Sequence, residues 1–158
     1  MTDPAFLGAV VVLACGLVVL SVIDLRTRRL PDRIVGPLTV TVVAMLALAG
    51  DGTAFARALA CGLLTGLALA VVNVAAPEGL GMGDVKLSFV LAATAGWCSW
   101  ITAVWGVVLG AALGAIGGMV SGVLAGESVR SRTIAFAPAL AAGTLLAILG
   151  SGRLSGLW

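Results

Sequence analysis

The sequence predicts an all-α, polytopic membrane protein of six transmembrane helices, with both termini outside the cytoplasm. Three observations carry that prediction. The 158 residues are 61% hydrophobic and 10% charged, against roughly 25% charged in soluble domains, and the mean hydropathy is +1.20. From Ser88 to Gly126, 39 residues pass without a charge, nearly twice the ~20 needed to cross a bilayer core. The basic residues fall by sides: six spans put Arg26, Arg28, Arg29, Arg33, Lys86, Arg130 and Arg132 on one face and Arg57 and Arg153 on the other. Seven against two places the charged loops in the cytoplasm. The chain Met1–Trp158 reads as a single membrane-embedded domain of the cytoplasmic (inner) membrane.

Span 1 is expected over Ala5–Ile23, and at 19 residues it is long enough for a core of ~30 Å. Met1-Thr2-Asp3-Pro4 lacks a positive n-region, and the run is long for a secretory signal, so the span reads as uncleaved. It ends at Asp24, before an arginine-rich loop that reaches Arg33. Span 2 is expected over Ile34–Gly50, with Pro37 in the first turn, where a missing N–H costs nothing. Asp51-Gly52-Thr53 reads as a turn, and Arg57 leads into span 3, Ala58–Ala76. The uncharged run divides at Gly96-Trp97-Cys98-Ser99-Trp100, because tryptophans favour the membrane interface. Span 5 is then Ile101–Ala125 and span 6 Ile134–Gly150.

Span 4 also sets a depth. Asp84 to Trp97 is 14 residues, roughly 20 Å of helix. If the tryptophans mark the outer interface, Asp84 lies several ångströms below the cytoplasmic surface. Gly106, Gly110, Gly114, Gly118, Gly122 and Gly126 recur at every fourth position, and Gly62 and Gly66 repeat the pattern once. Such Gly-x-x-x-Gly ridges let a second helix approach closely. The partner helix belongs either to this chain or to a second copy.

Several function classes drop out. Four of nine basic residues crowd one loop, leaving no broad basic surface for nucleic acid. Cys15, Cys61 and Cys98 are scattered in apolar surroundings and there is no histidine, so no metal site is expected and the cysteines read as small buried hydrophobes.

The chemistry concentrates in two aspartates. A carboxylate in a bilayer costs at least ~2.5–3.5 kcal/mol. Taken singly, Asp84 is a serviceable helix N-cap and Asp24 a span end paired with an arginine. Together they lie at the cytoplasmic ends of two spans, and Asp84 follows two glycines that no cap needs. Gly81 and Gly83 would free the backbone there, which suits a site that must open a substrate helix. Two close carboxylates share a proton, so one can take a proton from water while the other donates to a peptide carbonyl. No cofactor is needed.

Asp24 followed by Leu30-Pro31-Asp32, and then Gly81-Met82-Gly83-Asp84-Val85-Lys86-Leu87, resembles the type IV prepilin peptidases. These are GxGD-type intramembrane aspartyl proteases, related in motif to preflagellin peptidases and more distantly to presenilin. The resemblance implies that Asp24 and Asp84 are the catalytic pair. It implies an endopeptidase that cuts the basic leader from prepilins or pseudopilins at the cytoplasmic face. Ile134-Ala135-Phe136-Ala137-Pro138 resembles a further family element, with alanines at Ala135 and Ala137 where the family is richer in Gly and Pro; Phe136 and Pro138 are its candidate support residues. Lys86 either supports the charged form of the pair or reaches toward lipid phosphates. Asp32 stands where the family often has Asn, and its arginine-rich loop favours a structural role. Bifunctional members carry an added cytoplasmic segment with paired Cys-x-x-Cys for N-methylation. The ten-residue loop here, without such cysteines, implies cleavage alone. The expected partners are a prepilin helix, the lipid bilayer, and a second copy through the glycine-rich helices. A small transporter or channel subunit with Asp84 as its proton or ion site is the alternative; it needs no Asp24.

Overall fold

The computed structural model describes residues 3–27, 31–75, 81–125 and 137–152. Six helices follow one another: α1 Pro4–Thr27, α2 Asp32–Leu48, α3 Gly52–Ala75, α4 Met82–Cys98, α5 Trp100–Ala125 and α6 Ala137–Gly150. Three contain stretches long and apolar enough to cross a membrane, Pro4–Asp24, Gly52–Ala75 and Trp100–Val120. α2 and α6 are apolar but shorter, at 17 and 14 residues.

The exterior is apolar. Val18, Val40, Leu48, Leu67, Val74, Ile101 and Met119 are each more than half exposed, a surface suited to lipid rather than water. The interior is organised around α4, which packs against α2, α3, α5 and α6. From Val90 to Cys98 every α4 residue is buried, as expected of a helix apolar all round. Its buried hydroxyls are satisfied locally: Ser88 Oγ donates to the Val85 carbonyl and Thr94 Oγ1 to that of Val90.

The division of the long uncharged run falls where the sequence placed it. Ser99 alone separates α4 from α5, in an extended conformation that stops one helix. Its Oγ accepts the Thr102 amide at 3.0 Å and so caps the next. The tryptophan argument needs correction, however. Trp100 is exposed, but Trp97 is 2% exposed and stacks on Phe6 of α1 with ring centroids 6.1 Å apart. It is a core residue, and the depth estimate retains Trp100 as its only outer marker.

Helix ends differ from expectation for identifiable reasons. α3 starts at Gly52, six residues before the expected Ala58, because Asp51 caps it: Oδ1 accepts the amides of Thr53 and Ala54, each at 3.0 Å. α1 runs past Asp24 to Thr27, so Asp24 closes the apolar span Pro4–Asp24 while still inside the helix. α2 closes on Gly50, whose φ of +79° is the left-handed conformation that favours glycine after a helix. Cys61 and Cys98 are buried, but Cys15 is exposed; the expectation of three buried cysteines is corrected to two.

The first two glycines of the ridge serve this chain's own packing. A Cβ on Gly106 would sit 3.4 Å from Thr144 Cα, and one on Gly110 would sit 2.9 Å from Leu140 Cα, so α5 lies close against α6. Gly62 plays the same part between α3 and α4, with the Phe89 carbonyl 2.9 Å from where its Cβ would be.

Candidate functional site

Asp24 comes from the last turns of α1 and Asp84 from the first turn of α4, 60 residues apart in sequence. Both are buried, 5% and 9% exposed. Asp24 lies close enough to Asp84 to act on it electrostatically. The sequence expected these two carboxylates together; the fold buries both, one near the end of α1 and one at the start of α4.

Each carboxylate lies at a helix N-terminus. Asp24 Oδ2 accepts the amide of Ala137, the first residue of α6, at 3.3 Å. The positive end of the α6 dipole therefore faces a carboxylate from another helix. The Asp84 carboxylate lies beside Gly81, which precedes its own helix, with Oδ2 3.5 Å from where a Gly81 Cβ would sit; an acid three residues after the cap residue stands at the position of the acid in a capping box. Gly81 contributes no side-chain cap. The second oxygen of Asp84, Oδ1, is buried with no hydrogen-bond partner among the described residues.

That pattern is chemically specific. A buried carboxylate oxygen without a donor costs about 1–3 kcal/mol, so nothing in stability alone accounts for it. Two carboxylates held close cannot both ionise comfortably. The arrangement can present one charged and one protonated carboxyl to a water molecule and a peptide.

The glycines act differently from expectation. Gly81 is in ordinary extended backbone at φ −76°, ψ 145°, and Gly83 lies inside α4. Among the described residues only Gly50 and Gly152 have positive φ. The expectation of unusual backbone at Gly81 and Gly83 is therefore corrected; Gly81 acts through its position beside Asp84, whose Oδ2 would lie 3.5 Å from an added Cβ. Lys86 is exposed on α4; two residues on from Asp84, it faces a different side of the helix. Pro138 is half-buried as the second residue of α6, next to the amide that binds Asp24. Phe136 lies outside the described residues.

Sequence reasoning missed two residues. Ala137 acts through its main chain, and its only sequence signal was the neighbouring Pro138. Arg57, half-buried on α3, reaches the far end of α4, where Nε donates to the Gly96 carbonyl at 2.8 Å and Nη2 to the Trp97 carbonyl at 2.5 Å. A lone arginine in an apolar stretch was the available sign.

A sequence model of the type IV leader peptidase family matches residues 11–152. A prepilin leader peptidase/N-methyltransferase of Escherichia coli (strain K12) is 36% identical over 147 residues, covering 90% of this chain and 63% of the relative. The chain thus spans less than two thirds of that relative's length. No solved structure matches the chain.

Proposed function

The chain belongs to the type IV leader peptidase family, and from that premise we propose that it is an endopeptidase that removes the leader from prepilin-type substrates with Asp24 and Asp84 as its catalytic pair. One observation carries the assignment of residues. The two carboxylates, buried and drawn from separate helices, meet at helix N-termini, and Asp84 Oδ1 is left without a partner.

The chemistry follows from the pair. The charged carboxylate takes a proton from water as the oxygen attacks the scissile carbonyl carbon, while the protonated one donates to the carbonyl oxygen. Collapse of the tetrahedral adduct breaks the C–N bond, and a proton returned from the pair leaves with the amine. The ion-carrier alternative needs only Asp84, so the pairing favours hydrolysis.

All six helices cross the inner membrane in this reading, and the distribution of basic residues orients the pair toward the cytoplasm. There it meets a basic leader ahead of an apolar substrate helix. Cleavage proceeds without N-methylation, because the connection between α1 and α2 is short and carries no Cys-x-x-Cys.

The test is co-expression with a prepilin, following leader removal by mass, with Asp24→Asn and Asp84→Asn made separately. Each is expected to lower processing by about 10²-fold or more while the protein remains folded and inserted. Near-parental processing by either variant would refute the pair.

A further inference from the structure

The glycine ridge of α5 has so far served only packing, yet it holds the helix that touches Asp24. The contact is tightest at Gly110 and Gly143. A Cβ built on Gly143 would overlap the Gly110 backbone, with Gly110 Cα at 2.5 Å and Leu109 C at 2.8 Å; one on Gly110 would lie 2.9 Å from Leu140 Cα. These neighbours are main-chain atoms that cannot swing aside. The height and depth of α6 are therefore set by two glycines in contact.

α6 begins at Ala137, less than two turns before Gly143. The Ala137 amide binds Oδ2 of Asp24 at 3.3 Å, near the long end of a useful hydrogen bond and lost by 3.6 Å. A few tenths of an ångström thus separate contact from none. On the other side of the pair, Asp84 Oδ1 is nine-tenths buried and unpartnered, so the position of Asp24 decides what that oxygen faces.

We infer that the Gly110–Gly143 seam is a positioning element for the catalytic pair: it seats α6 so that the Ala137 amide fixes one oxygen of Asp24 and leaves the other to the reaction. This rests on the peptidase reading. A side chain at Gly143 must displace α6 from α5 by about 1 Å to reach ordinary contact, and a misplacement of that size in a reacting group costs on the order of 10²-fold. The loss falls on kcat, because the seam touches no substrate.

The test uses the full chain in lipid vesicles with a prepilin-type substrate, and measures kcat and KM for the parent, Gly143→Ala, Gly110→Ala and Gly117→Ala. A Cβ on Gly117 meets nothing within 4 Å. Gly143→Ala and Gly110→Ala are expected to lose at least tenfold in kcat with KM within twofold, and Gly117→Ala to match the parent. Should the seam variants fail to fold, replacing the Ala137 amide by an ester removes only the N–H and is expected to give the same kcat loss. Full kcat in Gly143→Ala or in the ester, or a loss carried by KM, overturns the positioning role while the peptidase reading stands. A parent that cleaves no leader overturns both.

Discussion

Replacing Arg57 by Met should destabilise the protein by about 2–6 kcal/mol without slowing the folded enzyme. The last four carbonyls of a helix have no partner within it, and at the end of α4 these belong to Ala95, Gly96, Trp97 and Cys98, packed in the core. The Ser99 amide takes Ala95 at 3.3 Å. Arg57 takes the rest: Gly96 at 2.8 Å, Trp97 at 2.5 Å and, at the outer limit, Cys98 at 3.5 Å. Its positive charge also complements the negative end of the helix. Met keeps the apolar stem and removes every donor. Two buried carbonyls left unsatisfied, at about 1–3 kcal/mol each, bracket the loss; the third bond is too long to count. Since 1.4 kcal/mol is tenfold in an equilibrium constant, the folded-to-unfolded ratio should fall by about 30- to 20,000-fold. Equilibrium unfolding in mixed micelles, followed by far-ultraviolet circular dichroism, measures it. Arg57→Lys, a compact charge that cannot span two carbonyls in a fixed fork, should recover about half. The exposed Arg33, changed to Met, should stay within ~0.5 kcal/mol of the parent. A similarly small effect for Arg57→Met, or a Lys variant no better than Met, would refute the capping account.

Two further outcomes are expected. Asp51 is fully exposed, and the amide of Ala54 with the hydroxyl of Thr53 holds its carboxyl below the usual carboxylate range; a lowered folded value means stability that is complete above the unfolded value of about 3.9 and lost as pH falls through the folded one. Asp51→Ala should therefore melt lower than the parent at pH 7, with the gap closing as the pH falls below 4. Gly96→Ala would bring a methyl to 2.6 Å from Cys61 Cβ and 3.3 Å from Ala58 Cα, an overpacking expected to cost about 1–3 kcal/mol. Adding Cys61→Gly, which clears the nearest atoms, should recover most of that loss in the same unfolding assay.

What the sequence made legible follows the range of the interaction. The division of the uncharged run was readable because it depends on local facts, a polar Ser99 between apolar stretches and its cap on Thr102. The pair Asp24 and Asp84 was readable because acids are so rare here that two on one face stand out. Helix ends were less so: Asp51 was read as a turn although its side chain starts α3. Trp97 was misjudged because interface preference is a tendency of exposed tryptophans, and the ring of Phe6, 91 positions earlier, covers this one. The partners of Arg57 and Ala137 were out of reach. They lie 39 and 113 positions away, and Ala137 acts through an amide that every residue but proline possesses.

The two ends of α4 show how stability and chemistry divide in this fold. A helix enclosed on all sides must neutralise its own dipole, and α4 has Arg57 at its C-terminus and Asp84 in its first turn. By charge alone the two residues are equivalent solutions to one problem. Their hydrogen bonding separates them. Arg57 directs its donors to the carbonyls that need them, so its role is complete within the fold. Asp84 needs only its charge in the first turn to serve its helix, and its Oδ1 is buried with no hydrogen-bond partner among the described residues. An amide side chain or a smaller cap would serve the helix end without that cost. Local rules broken without structural return are expected where a protein acts on something else. The Oδ1 left unpartnered among the described residues therefore supports the proposed role of Asp84 in the reaction, while Arg57 serves the helix.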